Sequence, residues 1–251
     1  MSGILKRITL FGEELGLLTR SNTSAAVFAK YLTTRLREAV NRGAYQRIIT
    51  EWGDRLDQQG KFSNRWVDHN LPKWLQVLEK EDFKSKPLAV LEIGSWEGRS
   101  VCFFMTYLPK ATLVAVDTWQ GGDEHQDYSQ LGAIEQQFDG NVRAFGGRVQ
   151  KAKGTSLAFF LSRPKEQQFD LIYVDGSHAV DDVICDAIKA FECLKVGGIL
   201  IFDDYTWTYY KNARRNPAAA INAFLQMKKG EYEILAVYNQ LILKKTGAET
   251  D

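Results

Sequence analysis

The sequence predicts an α/β protein: a mostly parallel, seven-stranded sheet flanked by helices, closed by a terminal antiparallel hairpin and preceded by a helical extension. Three observations predict it. Between Leu88 and Phe202, short apolar runs alternate with segments of helical periodicity, the pattern of a parallel sheet wound with crossover helices. The stretch Leu88–Asp117 reads as strand, glycine turn, helix and strand, with an acid at the tip of the second strand. Near the end, Tyr232–Tyr238 and Gln240–Lys244 are two β-rich runs separated by Asn239 alone, which predicts a tight hairpin.

The extension comes first. Residues 1–22 carry Leu10, Phe11, Leu15, Leu17 and Leu18 at spacings that allow a helical face, weakened by Gly12 and Gly16. This segment reads as a dimer arm or as a terminus packed on its own domain, with a membrane-surface contact the less favoured reading. Ser21–Ser24 supply helix caps, and Ala25, Phe28, Leu32, Leu36 and Val40 follow at helical spacing, with Gly43 as the expected C-terminal cap. A further helix from Ala44, with Tyr45, Ile48, Ile49 and Trp52, stops before Gly60. In Phe62–Leu78, Pro72 fits the first turn of a helix capped by Asn70. Trp66, His69 and Trp74 make that segment either a lid over a ligand or an aromatic anchor. Lys84-Ser85-Lys86-Pro87 breaks the pattern. The boundary between the extension, residues 1–86, and the sheet domain, residues 87–251, is therefore placed there.

The turn Gly94-Ser95-Trp96-Glu97-Gly98 follows the first strand, Leu88–Ile93. Its glycines supply unusual dihedrals and allow close approach to a ligand. Arg99–Leu108 forms a helix behind it, and Thr112–Val116 is the second strand. Asp117 at its tip is placed to accept hydrogen bonds from a ribose diol. A dinucleotide is disfavoured, because the turn is not GxGxxG and Glu97 would repel a pyrophosphate. Glu92 and Glu97 suit a ligand with a positive centre. S-adenosylmethionine, with a ribose, an ammonium and a sulfonium and no phosphate, fits. Thr118 and Trp119 begin a polar, glycine-rich loop over the expected crevice, in which Trp119 is placed to flank the adenine and His125 to reach an acceptor.

Leu131–Phe138 reads as a short helix and Val149–Lys153 as the third strand, ending in Gly154-Thr155-Ser156, where an adenine edge can be read. Phe169–Asp175 is the fourth strand, followed by Gly176-Ser177-His178 and an amphipathic helix from Val180 to Phe191 with acids in its first turn. Leu194–Gly198 reads as a turn and Ile199–Phe202 as the fifth strand, ending in Asp203-Asp204-Tyr205. Asp175, Asp203 and Asp204 thus sit at the carboxyl ends of two strands. They repel one another unless a cation or hydrogen-bond donors compensate, and oxygen ligands of this kind suit magnesium, calcium or manganese. The other reading makes Asp203 and Asp204 caps of the next loop. Tyr205–Asn216, polar, aromatic and basic, is the expected acceptor surface, and Pro217 opens one more helix.

The 251 residues carry a net charge of +1, which excludes a strongly basic nucleic-acid-binding surface. The three cysteines, Cys102, Cys185 and Cys193, show no metal-ligand spacing and read as buried free thiols in a reducing compartment. Glu13 and Glu14 interrupt the first apolar run, and no stretch is long enough to span a bilayer, so a cytoplasmic protein is expected.

The runs LEIGSWEGRS, VAVDTWQGGDEH, FDLIYVDGSH, LKVGGILIFDDY and the upstream FSNRWVDHNLPKW together resemble the family 24 methyltransferase domains, related to macrocin-type sugar O-methyltransferases. The resemblance implies the Rossmann-like, class I S-adenosylmethionine-dependent methyltransferase fold over about Phe62 to Lys245. It implies cofactor contacts at Glu92, Gly94, Ser95 and Asp117, and magnesium held by Asp175, Asp203 and Asp204. GSWEG departs from the commoner GxGxG, which bears on Trp96 and Glu97. The resulting expectation is a cation-assisted O-methyltransferase acting on a hydroxyl of a sugar or natural-product glycoside. Its cofactor contacts are Glu92, Gly94, Ser95, Trp96, Asp117, Thr118, Trp119, Thr155, Ser156 and Asp175. Its catalytic pair is Asp175 with His178 as general base, since an imidazole titrates near neutral pH; His178 as a helix cap is the other reading. A homo-oligomer through the N-terminal helices is expected. Two alternatives stand beside this one: a metal-independent N- or carboxyl-methyltransferase, and a non-catalytic assembly module.

Overall fold

The structure, a computed structural model, describes residues 3–122 and 131–247, with side chains from Thr9 onward. The expectations for His125 and for a frayed tail at residues 249–251 lie outside the described residues. Seven strands form one sheet: β1 (Ala89–Ile93), β2 (Thr112–Asp117), β3 (Val149–Lys153), β4 (Phe169–Val174), β5 (Leu194–Phe202), β6 (Tyr232–Val237) and β7 (Leu241–Lys245). Their order is β3-β2-β1-β4-β5-β7-β6, with β1 to β5 parallel, β7 antiparallel to β5, and β6 antiparallel to β7. The chain therefore reverses direction across the sheet between β1 and β4, and ligands of open α/β sheets bind outside such a reversal. The fifth strand starts earlier than its apolar run: Leu194–Gly198 continues the strand instead of turning, with an irregular register opposite Phe169–Leu171.

Nine α-helices surround the sheet among the described residues: α1 (Gly3–Arg20), α2 (Ala25–Val40), α3 (Arg42–Gln59), α4 (Leu71–Lys80), α5 (Arg99–Tyr107), α6 (Leu131–Val142), α7 (Ser156–Ser162), α8 (Val180–Cys193) and α9 (Pro217–Met227). Side chains alternate across each strand, so the sheet builds two cores. Leu91, Ile93, Ile172, Leu200 and Phe202 face α1, α2, α8 and α9. Val90, Leu171, Tyr173, Ile199 and Ile201 face α3 to α6. Residues 1–86 contribute to both: Leu17, Leu18, Val27 and Tyr31 enter the first core, Leu56, Leu71 and Trp74 the second. No helix among the described residues is long and apolar enough to cross a membrane.

Several local expectations change. On α2 the buried stripe is Val27 and Tyr31, while Leu32, Leu36 and Val40 are exposed, because the Val27–Tyr31 face is the one that meets the sheet's first core. Asn41, not Gly43, ends α2, and Gly43 lies in the first turn of α3. Asn70 precedes α4 without a side-chain cap, since its Oδ1 accepts from Asn239 Nδ2 at 3.2 Å. Cys102 and Cys193 are buried, but Cys185 is exposed.

Gly94 carries the reversal. Its φ is +84°, and an added Cβ would lie 1.8 Å from the Asp175 carbonyl oxygen. The sequence reading gave this glycine to a ligand; the structure gives its close approach to the neighbouring strand's own backbone. Gly94→Ala is expected to cost more than about 3 kcal/mol, from strain and overlap together. Gly140→Ala, inside α6 with nothing within 4 Å of its Cβ, is expected to gain up to about 1 kcal/mol. Urea denaturation of the two variants checks the pair.

Candidate active site

The parallel ladder brings four strand ends level. Gly94 N–H donates to Val116 O at 2.8 Å, Asp175 N–H to Ile93 O at 2.8 Å, and Asp203 N–H to Val174 O at 2.9 Å. The glycine turn, Asp117, Asp175 and Asp203 therefore form one rim along the carboxyl ends of β2, β1, β4 and β5.

Asp117 organises the turn. Its Oδ2 accepts the backbone N–H groups of Ser95 and Trp96, each at 2.8 Å, and its Oδ1 accepts that of Trp119 at 2.6 Å. A carboxylate offers about four acceptor positions, so one remains for a ligand hydroxyl unless a backbone donor gives way. Trp96 and Trp119 both take positive φ, 47° and 54°. Trp119 is buried, donating its indole N–H to Trp96 O at 2.9 Å and packing on Phe138. It presents no open face, unlike the adenine-flanking role expected of it. Thr118 Oγ1 accepts the N–H of Gln120 at 3.2 Å. Glu97, expected to face a positive ligand, instead accepts Ser63 N–H at 2.7 Å and Ser63 Oγ–H at 3.0 Å. That bond ties the segment before α4 to the turn. Arg99 fixes the same segment, reaching both Asp68 oxygens at 2.7 Å. Trp66, half exposed, stands 5.7 Å from Trp96.

Beneath the turn, Glu92 is fully buried and accepts from Ser100 Oγ. Burial pushes its carboxyl up to about 8, against one opposing hydrogen bond. Among the described residues, Glu92 Oε2 and Ser95 Oγ are buried without a hydrogen-bond partner. Across β3, Thr155 caps α7 through Ala158 N–H at 3.2 Å, and Ser156 opens that helix; on α8, burial raises the Asp186 carboxyl to about 6.

The acidic end is more closely built. Asp175, His178 and Asp204 each place a ligand atom within 4.8 Å of the others. His178 Nε2 lies 2.7 Å from Asp204 Oδ2, and its ring is 4.5 Å from the Trp207 ring. His178 does not cap α8; Ala179 is the cap residue. Asp203, expected among the ligands, does not join that cluster. Its Oδ2 accepts from Tyr173 Oη and from Gln240 Nε2 at 2.8 Å, and its Oδ1 from Asp204 N–H at 2.8 Å. Tyr173 Oη also lies 2.8 Å from Asp175 Oδ2, so one hydroxyl proton faces two carboxylates. Burial, then Asp203 and Asp204, push Asp175 well up; burial, then Asp204, push Asp203 up to about 7. Tyr173 and Gln240 escaped the sequence reading: each sits in an apolar run that reads as core or hairpin.

Two outcomes test this geometry. Glu92→Gln keeps an acceptor for Ser100 and removes the buried ionisation. Raising a carboxyl to about 8 means the folded state holds its proton longer than the unfolded chain, so wild-type stability falls as pH rises from the ordinary carboxylate range to about 8. The variant's Tm advantage is therefore expected to be small about pH 5 and largest above about pH 8. Asp117→Ala is expected to lower the Tm of the ligand-free protein, by about 2–4 kcal/mol in stability, because three backbone N–H groups lose their acceptor. Scanning calorimetry reads both.

The family model Methyltransf_24, a methyltransferase domain, matches residues 91–205. An uncharacterized protein of Acanthamoeba polyphaga mimivirus is 26% identical over 143 residues, 55% of this chain and 58% of that protein. The MycE methyltransferase from the mycinamycin biosynthetic pathway, in complex with Mg, SAH and mycinamycin VI, aligns with a TM-score of 0.54 at 17% identity, over 79% of this chain and 54% of that one. The SAH-bound Podospora anserina methyltransferase PaMTH1 aligns at 0.52 and 15% identity, over 80% of this chain and 88% of that one. The O-methyltransferase NovP aligns at 0.51 and 16% identity, over 71% and 80%. The chain thus spans little more than half the length of the mimivirus protein and of MycE. At these identities the solved structures show a common fold. With its sheet order shared with these methyltransferase structures, the chain has the class I, Rossmann-like fold, and its central residues 91–205 match the family 24 methyltransferase domain.

Proposed function

We propose that this enzyme methylates a hydroxyl of a sugar or natural-product glycoside, with help from a divalent cation such as magnesium. The observation that carries the reading is the convergence of Asp175, His178 and Asp204 beside the glycine turn. MycE, with which this chain shares its fold, was solved with Mg, SAH and mycinamycin VI. The aromatic loop after β5 supports a sugar acceptor. Trp207 lies against His178 and stacks on the exposed Tyr209 at 5.3 Å, and such faces suit the C–H surfaces of a sugar ring.

The cofactor fits the turn: two buried polar atoms, Glu92 Oε2 and Ser95 Oγ, lack a protein partner where a ligand rich in donors belongs. S-adenosylmethionine, when bound, supplies a methyl group already activated on its sulfonium. Asp117 offers its remaining acceptor position to the ribose, while Gly94, Trp96, Thr118, Thr155 and Ser156 shape the rim. The cation fits the acidic end: three acids crowd one wall, where the described residues offer them Tyr173, Gln240, one backbone N–H and the His178 ring. Asp175 and Asp204 would hold it, and a hard divalent cation lowers the pKa of a hydroxyl it touches. Asp203 orients Asp204 from behind. His178 takes the hydroxyl proton as general base, its ring held by Asp204 and Trp207. Exposed apolar residues Leu32, Leu36 and Val40 on α2, with Leu10 on α1, support self-association through the N-terminal helices in a cytoplasmic setting.

Isothermal titration of S-adenosylmethionine, followed by a sugar and glycoside acceptor screen with and without chelator, tests the reading. Cofactor binding that survives chelation, with methyl transfer that does not, is the expected result. Transfer that persists under chelator overturns the cation and favours a metal-independent enzyme. His178→Ala is expected to slow transfer by about 10²–10⁴-fold without changing cofactor affinity; near-normal turnover removes the base assignment.

A further inference from the structure

Under the acidic rim runs a buried chain of polar side chains from four parts of the fold. Trp74 on α4 donates its indole N–H to Gln240 Oε1 at 2.7 Å, and Tyr238 donates its hydroxyl to the same oxygen at 2.6 Å. Trp74, Tyr173, Tyr238 and Gln240 are all fully buried, so water does not replace a lost partner. An indole nitrogen only donates. The Gln240 carbonyl oxygen must therefore face Trp74, which turns its amide N–H2 the other way. That group meets Asp203 Oδ2 at 2.8 Å.

Asp203 passes the constraint on. Its other oxygen accepts the Asp204 N–H at 2.8 Å. On the far side of Asp204, the Tyr205 N–H donates to Asn239 O at 2.7 Å. Residues 239 and 240, the tip of the β6–β7 hairpin, thus pin both neighbours of Asp204. Between them Asp204 has φ 53°, a left-handed backbone that a residue with a side chain seldom holds unaided. This backbone aims the Asp204 carboxylate at His178 and Asp175.

We infer that Gln240 is a positioning residue for the cation-binding pair: oriented by Trp74, it holds Asp203 in place, and Asp203 fixes the backbone that aims Asp204. The inference rests on the reading that a divalent cation binds at Asp175 and Asp204. Neither Trp74 nor Gln240 touches the cation or the reacting atoms; both lie outside residues 91–205, the span matched by the family model.

The test titrates Mn2+ alone into the full chain, read by electron paramagnetic resonance of the free ion. S-adenosylmethionine affinity and Tm are measured on the same samples. Gln240→Leu removes the donor to Asp203 at similar volume, together with the acceptor of Trp74 and Tyr238, and Trp74→Phe removes one of the two donors that orient Gln240, together with part of the packing on Phe103, Phe104 and Tyr173. Gln240→Leu is expected to weaken Mn2+ binding by about tenfold or more, the usual loss for a group that holds a metal ligand. Cofactor affinity is expected to stay unchanged. Trp74→Phe is expected to weaken Mn2+ in the same direction by a smaller factor, and it carries the test alone if Gln240→Leu does not fold. Equal Mn2+ affinity in variants and wild type overturns the inference and leaves the cation reading standing. A parallel fall in cofactor and Mn2+ affinity marks general disruption and also overturns it. A wild type that binds no Mn2+ overturns both.

Discussion

The close passage of Gly94 against the Asp175 carbonyl is the constraint on which the rest of the site depends. With no side chain at 94, the ends of β1 and β4 sit edge to edge, and the ladder runs on past both strands. The glycine turn and the acidic rim then share one wall. Were the two strand ends held apart by a single Cβ, Asp117 and Asp175 would no longer belong to one crevice. The left-handed dihedral and the close contact both require glycine at this position, so the turn is fixed by its own sheet before any ligand enters.

Within that wall the chain handles each acid differently, and the differences follow from the donors each one finds. Asp117 accepts three backbone N–H groups. Glu97 accepts two donors from Ser63 and serves as a tie. Glu92 finds one hydroxyl in a dry core and is pushed up to about 8. Asp203 collects a phenol, an amide and a backbone N–H. Asp175 has the Tyr173 hydroxyl, and Asp204 has the His178 ring beside it. On the proposed reading, these two are the places where a cation would be worth most.

Much of this was legible in the chain. Strand positions, the glycine turn, the acid at the end of β2 and the acids at the ends of β4 and β5 follow from runs of apolar residues broken at polar tips, because a parallel sheet buries both faces and exposes only its ends. The direction of each side chain was not legible. Leu32, Leu36 and Val40 have the same helical spacing as a core stripe, and only the position of β6 decides that Val27 and Tyr31 are the buried face. Asp203 and Asp204 are adjacent in sequence and alike in chemistry. What separates them is a left-handed backbone at Asp204 and the amide of Gln240, neither of which has a local signal. Trp119 looks like a stacking surface until Phe138 and the Trp96 carbonyl cover it.

The parts of the fold outside the matched span give the site its definition. Ser63 and Asp68 lock onto the turn through Glu97 and Arg99, and Trp74 and Gln240 lie beneath the acids. The aromatic loop after β5 is anchored from the N-terminal helices. Tyr205 Oη–H donates to Asn222 Oδ1 at 2.8 Å, and Asn222 Nδ2 donates to Ser21 O at 2.8 Å and Thr23 Oγ1 at 3.0 Å. Thr206 Oγ1 reaches Glu14 Oε1 at 3.3 Å, and Glu14 itself is held by the Tyr31 hydroxyl at 2.5 Å and by Arg35. The loop that presents Trp207 and Tyr209 therefore takes its position from α1, the α1–α2 turn and α9 as much as from the strand it leaves. A sheet of this kind fixes where its strand ends lie, and elements packed on both faces decide how the loops between those ends are aimed. Here that aiming falls to the helical extension and the terminal hairpin, so the extension shapes the loop after β5 as well as the core.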